Sequence, residues 1–189
     1  MSRAYRISVR ECLNRTIRAK DHVSTQLELL EVLSPEEMAE LLAAELEARG
    51  FERDGKNLVR DQDGVVVTVD VETGTVTVTT EACKGVELET KRDGWAADQE
   101  GSRAKAEKER LKKEAQKDLE SKADSERAKL QSKVTDKLEA QLGDIKKELN
   151  QAVNRVTAEA LKRKAAQLGQ IKELTEDPQS GNMTIVLEV

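Results

Sequence analysis

The sequence predicts an α+β protein with three parts: a small β-rich head with one short helix, a long α-helical coiled-coil rod, and a C-terminal β-hairpin. Three observations predict this architecture. Residues 65–79 place valine at every second position on either side of an ETGT turn, which is typical of strands. Residues 102–168 contain no proline and a single glycine, which is typical of a long helix. The chain then ends in NMTIVLEV, where every second side chain is apolar. We therefore expect domains at 1–96, 97–169 and 170–189.

The composition limits the size of the core. Of the 189 residues, 37% are hydrophobic and 37% are charged, and there is one Trp, one Tyr and one Phe. Globular domains usually have about 25% charged residues. A core that includes the whole chain cannot be built from this composition, whereas a small core with a solvated extension can.

The head begins with segments that alternate in the manner of strands. AYRISVRE at 4–11 places Tyr5, Ile7 and Val9 on one face, and LNRTIRAK at 13–20 is expected to pair with it. The segment 24–33 is ambiguous between strand and helix, and a strand is favoured because a helix start follows it.

A short helix is predicted at 35–49 from its end signals. Ser34 is a good N-cap, Pro35 suits the first helical position, and Glu37 completes a capping box. Gly50 is a typical residue just after a helix end.

A β-hairpin follows the helix. Residues Val65, Val67, Val69 and Val71 share one strand face, ETGT forms the turn, and Val76 and Val78 continue on the return strand. A further strand is predicted at 85–91. Trp95, in the boundary segment 92–102, is expected to pack on the sheet edge.

The rod carries a narrow apolar stripe. From position 119 to position 160 it advances 41 residues in eleven steps, or 3.73 residues per step, and Glu126 alone is polar. This spacing is closer to an 11-residue repeat than to a heptad and predicts a straight or slightly right-handed coil. We expect the stripe to mediate self-association into a homo-oligomer. Its central residues are Leu119, Leu130, Val134, Leu138, Leu142, Ile145, Leu149, Val153 and Val156.

The path of the rod has two alternatives. A turn at Gly143 would make a helical hairpin and return the C-terminal strand to its own head. A continuous helix would span about 100 Å, at 1.5 Å per residue, and would leave the C-terminal strand to pair in a separate tip module or with another chain. The stripe keeps its phase across Gly143, which favours the continuous helix.

Charge is distributed unevenly along the chain. Residues 21–101 hold seven basic and twenty acidic side chains, whereas residues 102–171 hold eighteen basic and twelve acidic ones. The basic rod could engage nucleic acid or an anionic membrane surface, and we keep this as the alternative function. Acidic residues are interleaved throughout the rod, however, whereas a phosphate-binding face shows a cleaner basic stripe.

No motif in the sequence indicates a reaction centre. His22 is the one histidine, and no metal-ligand or phosphate-binding spacing accompanies it. Cys12 and Cys83 are far apart and are expected to be buried or half-buried thiols in a reducing compartment. We therefore expect a non-enzymatic, cytoplasmic protein without a membrane span, with no catalytic residue, cofactor, metal or small-molecule substrate.

The first half of the chain resembles a known group of bacterial proteins. The stretch from MSRAYRISVRECLNRTIRAK to LLAAELEARGFERDG, followed by VTVDVETGTVTVT, is similar to accessory proteins of ternary systems. Those systems combine an FtsH-like or MoxR-like AAA+ ATPase with von Willebrand A-type proteins. The resemblance covers residues 1–80 and implies a non-enzymatic component that acts alongside an ATPase and a von Willebrand A-type partner. It identifies no functional residue.

Three functions remain at this point. An adaptor or scaffold that self-associates through the rod is favoured by the stripe and by the lack of catalytic motifs. A nucleic-acid or membrane-binding module would show salt-sensitive binding. An enzyme with an unrecognised site would need acidic residues in a deep pocket, which the scarcity of aromatic residues argues against.

Overall fold

A computed structural model of the chain describes residues 4–97, 101–176 and 183–188. It confirms the α+β class, with a β-rich N-terminal sheet, one short and one long helix, and a C-terminal hairpin. The elements in chain order are β1 (Tyr5–Gln26), α1 (Pro35–Ala48), β2 (Glu52–Asp54), β3 (Asn57–Gln62), β4 (Val65–Asp70), β5 (Thr75–Ala96), α2 (Ser102–Leu168), β6 (Gln170–Glu176) and β7 (Met183–Glu188).

The strands form two sheets. The larger sheet has five strands in the order β1-β5-β4-β3-β2, and β6 and β7 form a sheet of their own. The pairs β2–β3, β3–β4 and β4–β5 are antiparallel. The chain divides into two compact units that do not coincide with the three predicted domains, which stay a prediction. Unit 1 is Met1–Lys20 with Glu81–Thr135, and unit 2 is Asp21–Thr80 with Asp136–Val189.

Unit 2 contains α1, which begins as its sequence predicts. The Ser34 hydroxyl accepts a hydrogen bond from the Glu37 backbone N–H, and the Glu37 carboxylate accepts one from the Ser34 backbone N–H at 3.1 Å. This capping box satisfies backbone donors that the first turn would otherwise leave open. The side chains of Met38, Leu41, Leu42, Ala43 and Leu46 are buried on one face of the helix. Gly50 follows with a φ of 84°, the left-handed conformation that ends many helices.

The hairpin β4–β5 supplies the sheet side of the same core. Val67 faces Val78 and Val69 faces Val76 across the two strands, and all four side chains are buried. Directly opposed β-branched side chains of this kind stabilise an antiparallel pair. The turn between the strands is closed by Asp70, whose carboxylate accepts hydrogen bonds from two backbone N–H groups of the turn.

Two predicted boundaries in the head are wrong because β1 and β5 are much longer than expected. Each strand has 22 residues, so 13–20 is a continuation of the first strand and 85–91 is a continuation of the hairpin strand. Both strands have a long partner beside them, and neither contains a residue with a positive φ. Gly85 stays extended within β5.

The predicted strand at 24–33 is correct only as far as Gln26. Beyond it, the Leu27 backbone N–H donates to the Gly74 carbonyl oxygen at 2.8 Å, and the chain leaves the strand. Leu33 is buried in the core of unit 2, and Leu27, Leu29 and Val32 pack against that core. These apolar residues cover the core from a segment without regular secondary structure. The strand prediction failed here because it assumed that apolar residues at short spacing must alternate between two faces.

The long helix α2 is continuous through Gly143, which excludes the helical hairpin. After it, β6 and β7 pair with each other in an antiparallel register that runs from Gln170–Glu188 to Glu176–Met183. The predicted turn at 178–181 and the last residue, Val189, lie outside the described residues.

Candidate interaction surfaces

The apolar stripe of α2 is buried within its own chain. Of its nine predicted residues, Leu119, Val134, Leu138, Ile145, Leu149 and Val156 are buried and Leu130, Leu142 and Val153 are half-buried. A stripe this narrow needs a partner surface, and the chain provides one in each unit. The coiled coil is therefore not confirmed, and self-association through the stripe stays a prediction.

In unit 2 the partner of the stripe is the head core. Leu138, Ile145, Leu149 and Val156 belong to the same buried cluster as the inner face of α1 and the inner valines of β4 and β5. Burying a leucine or valine side chain stabilises a fold by roughly 1.5–3 kcal/mol. Using the stripe for a second helix would remove these contacts.

In unit 1, the first part of α2 packs against strands and not against α1. Its buried residues are Ala104, Leu111, Ala115, Leu119, Ala123 and Val134, and the buried residues of the neighbouring strands include Val9, Ile17 and Val86. Charged groups add contacts at the margin: the Lys84 ammonium donates to the Glu126 carboxylate at 2.7 Å, and Arg92 pairs with Asp118. The Glu126 carboxylate also pairs with Lys129, and these two ammonium groups, Lys129 first, lower its pKa to about 2.

A cluster of polar side chains links α2 to β3 and α1 in unit 2. The Arg60 guanidinium on β3 donates two parallel hydrogen bonds of 2.7 Å to the Glu148 carboxylate on α2, and a third of 3.2 Å to the Arg49 carbonyl oxygen. The Phe51 ring lies under the guanidinium, 4.5 Å from its central carbon to the ring centroid. Arg49 pairs in turn with Glu45 at 2.7 Å, so the cluster links α1, β3 and α2.

The cluster has the electrostatics of a structural ion pair. The hydrogen bonds from Arg60 hold the pKa of Glu148 below its usual value, and the same contact raises the pKa of Arg60. The Arg60 side chain is only 15% exposed, and its Nε atom is buried without a hydrogen-bond partner. A bidentate pair in this setting fixes orientation as well as charge.

An open apolar groove lies beside α2 in unit 2. It has a volume of about 720 Å³, and one wall is formed by Leu142, Leu149 and Val153 of the helix. The opposite wall includes Val23 at the end of β1 and Val76 of β5. The half-buried stripe residues Leu142 and Val153 are therefore accessible from this groove. Lys146, Asn150 and Asn154 add polar groups from the helix.

The remaining residues examined for chemistry lie on the surface. His22 is exposed. Cys12 and Cys83 are free and exposed, which corrects the expectation of buried thiols, because both lie on the outward-facing positions of their strands. Trp95 is 65% exposed and does not pack against the sheet as expected. Within the described residues, no group of three or more His, Cys, Asp and Glu side chains could hold a metal ion.

Comparison with models of protein families shows which family the chain belongs to. A family model described as FtsH ternary system domain X5 matches residues 1–189. The chain belongs to the FtsH ternary system domain X5 family. The resemblance inferred from the first 80 residues is thereby confirmed, and it extends over the whole chain, including the long helix. Searches of curated proteins and of solved structures found no match.

Membership in the X5 family identifies the protein as a component of an FtsH ternary system. Across the parts of the chain that the structure describes, no helix is both long and apolar enough to cross a membrane. The 67 residues of α2 satisfy the length but not the hydropathy, because charged residues occur throughout it.

Sequence reasoning missed two features of this X5 domain. Arg60 and Glu148 are 88 positions apart, and neither differs locally from other charged residues on strands and helices. The groove is formed by residues from three separate segments. The apolar stripe was one sequence signal for the groove. Leu142 and Val153 belong to the same stripe as Leu138, Ile145 and Leu149, so they were expected to contact another surface.

Proposed function

We propose that this X5 domain is a non-enzymatic adaptor or scaffold that links an AAA+ ATPase and a von Willebrand A-type protein of its ternary system. The observation that carries the proposal is the family match over the whole chain. An adaptor needs exposed surfaces that bind other proteins, and the groove and the C-terminal hairpin are the candidates.

The described surfaces favour protein partners. The groove of unit 2 is apolar with polar groups at its margin, as in many protein-binding sites. The C-terminal hairpin exposes Leu174 and Val186, whose side chains are 41% and 42% exposed. These are the features that we expect to recognise partner proteins in the cytoplasm.

Self-association is part of this proposal, but its location differs from the original expectation. The buried part of the stripe holds the fold together. Leu142 and Val153 remain reachable through the groove, so we place the self-association surface there.

Binding of nucleic acid or an anionic membrane receives less support. Several basic groups of α2 and the strands that neighbour it are engaged with acidic partners, including Lys84 and Lys129 with Glu126 and Arg92 with Asp118. A cation that already has a carboxylate partner contributes less to binding phosphate groups.

The test is reconstitution from purified components. The full chain is mixed with the FtsH-type ATPase and the von Willebrand A-type protein of the same system, with and without ATP, and complexes are separated by size-exclusion chromatography with light scattering. We expect the chain to co-elute with at least one of them at 150 mM salt, and the three-component complex to need the chain. An unrelated AAA+ ATPase serves as the control.

Two results would contradict the adaptor role. One is the absence of any complex with either protein in both nucleotide states. The other is binding to duplex DNA, RNA or anionic vesicles that is tighter than binding to both proteins and weakens steeply with salt.

A further inference from the structure

The C-terminal hairpin has one apolar face because of a β-bulge. The register pairs Ile171 with Leu187 and Leu174 with Ile185, and it shifts between Ile171 and Glu173. Without the shift, Ile171 and Leu174 would point to opposite faces, since they are three positions apart. The extra residue, Lys172, brings them to the same face, together with Met183 and Ile185.

This apolar face has no established partner within its own chain. Among the described residues, β6 and β7 pair only with each other, and the hairpin contributes nothing to the core cluster of unit 2. Leu174 is 41% exposed. An isolated two-stranded hairpin is marginally stable in water, so a hairpin of this kind needs a surface to pack on.

The groove in unit 2 offers such a surface next to an open sheet edge. β1 is one of the two edge strands of the five-stranded sheet, and its residues Val23 and Thr25 line the groove. An edge strand presents unpaired backbone groups that can accept another strand. A strand added there would continue the sheet beneath Leu142 and Val153 of α2, and its inward side chains would enter the groove.

We propose that the C-terminal hairpin of a second copy of this chain adds to the β1 edge at residues 22–26 and inserts its apolar face into the groove. The exchange is reciprocal, so two copies form a closed dimer with two identical hairpin–groove contacts. This inference rests on the self-association part of the proposed function and names its surfaces.

The reach of the hairpin argues for a second copy as the occupant. The groove is lined by helix residues from Leu142 to Asn154, whereas the chain's own hairpin starts at Gln170, directly after Gly169. From Leu168 back to Val153 is about 22 Å along the helix. A strand of seven residues reaches about 23 Å. The chain's own hairpin, folded sharply back, would reach only the near end of the groove.

Charge supports the same pairing. Residues 172–189 carry four acidic side chains and one lysine, whereas residues 146–164 of α2 carry six basic and two acidic side chains. The groove includes Lys146 from this basic stretch, and Glu28 lines it from the segment after β1. The volume of about 720 Å³ is within the range of sites that bury several apolar groups.

The test uses the full chain and two matched pairs of variants, with mass measured by light scattering across a dilution series. In the hairpin, Ile185→Asp places a charge on the apolar face, and Thr184→Asp places the same charge on the opposite face. On α2, Val153→Asp alters the groove, and Gln151→Asp alters an exposed position nearby.

We expect a dimeric wild type and dimeric controls, and we expect Ile185→Asp and Val153→Asp each to raise the dimer dissociation constant at least tenfold. Circular dichroism confirms that each variant is folded.

A mixing experiment separates this arrangement from the others. Ile185→Asp keeps an intact groove and Val153→Asp keeps an intact hairpin, so an equimolar mixture should recover a dimer with one intact contact. If Ile185→Asp dissociates the dimer but Val153→Asp does not, the hairpins pair with each other and the proposal is wrong. A monomeric wild type at 100 µM, or unchanged masses in all variants, also overturns it.

The adaptor role is tested separately from the dimer. Binding of the ATPase and the von Willebrand A-type protein is measured for the monomeric Ile185→Asp variant. Retained binding together with loss of the dimer supports the dimer contact and keeps the adaptor role. Loss of partner binding in the wild type as well would remove the adaptor role while leaving the dimer measurement intact.

Discussion

The two halves of α2 carry the same apolar stripe but are covered in different ways. Within unit 1, the buried helix residues are three alanines with Leu111, Leu119 and Val134, and ion pairs such as Lys84–Glu126 lie at the margin. Within unit 2, the buried residues include Leu138, Ile145 and Leu149, which join a core with the inner faces of α1 and the strands. The two halves bury similar side chains, so the difference lies in the surface that covers them, which in unit 2 includes α1 as well as strands.

This difference indicates that the two units have unequal stability. Apolar burial contributes roughly 25 cal/mol per Å², so the larger apolar core of unit 2 contributes more. Exposed ion pairs contribute 0–1 kcal/mol each and are screened by salt. We expect unit 1 to open more readily than unit 2, and the first prediction below tests that inequality directly.

The largest expected effect is a leucine deletion in the core of unit 2. Leu149→Ala should lower the free energy of unfolding by about 3 kcal/mol, because it leaves a cavity among buried side chains. The same substitution in unit 1, Leu111→Ala, should cost about 2 kcal/mol, because Leu111 lies against Gly94, which has no side chain, and so has fewer contacts to lose. Urea denaturation followed by circular dichroism measures both. Equal losses, or a larger loss for Leu111→Ala, would reject the inequality.

The second prediction concerns the Arg60–Glu148 pair. Glu148→Gln removes the carboxylate and leaves the guanidinium, with its buried Nε, without its charged partner. Breaking a fully buried pair costs about 3–5 kcal/mol, and partial exposure of Glu148 reduces this to about 2 kcal/mol. Gln151→Glu, at an exposed position on the same helix, is the control and should change stability by less than about 0.5 kcal/mol.

The same pair gives a pH dependence with a definite sign. The folded-state pKa of Glu148 is below 4.5, its unperturbed value, because Arg60 donates hydrogen bonds to the carboxylate. The stabilisation is therefore present above pH 4.5 and is lost as the pH falls towards the folded-state pKa. The difference in stability between wild type and Glu148→Gln should shrink between pH 5 and pH 3. A difference that grows as the pH falls would contradict this account.

The sequence predicted the features that depend on local residues. The capping box at Ser34 and Glu37, the bounds of α2, and the β4–β5 hairpin each follow from signals within a few positions. The surfaces that cover the apolar stripe of α2 could not be predicted from local residues. An apolar stripe at 3.73 residues per step indicates that the helix face is buried. Its spacing does not show whether the surface that covers it is another helix or a sheet. The candidate surfaces therefore changed from a coiled coil to a groove, because Leu138 and Ile145 are covered by segments far away in sequence.

A smaller effect is expected where β5 approaches α2 closely in unit 1. Gly94 is buried, and a Cβ atom there would lie 2.9 Å from Leu111 Cδ1 and would also contact the Glu107 carboxylate. Gly94→Ala should therefore lower the stability of unit 1 by about 1–2 kcal/mol. Gly85→Ala, in the same strand, meets no atom within 4 Å and is the matched control. Trp95 fluorescence, from the only tryptophan, reports on this region. A Gly94→Ala variant as stable as Gly85→Ala would mean that the Glu107 and Leu111 side chains move aside at little cost.

The smallest expected effect is a gain in stability at Gly143, within the unit 2 half of α2. Its backbone is helical, and a Cβ atom would meet nothing within 4 Å. Gly143→Ala should therefore stabilise the protein by 0.5–1 kcal/mol, because alanine loses less backbone entropy than glycine on entering a helix. Gln141→Ala, two positions earlier, controls for the added alanine and should change stability by a few tenths of a kcal/mol. If α2 turned at Gly143, alanine would instead oppose the turn and lower the stability. The sign of this change thus tests whether α2 continues through Gly143 as one helix, so that Leu138 and Ile145 lie on one apolar stripe.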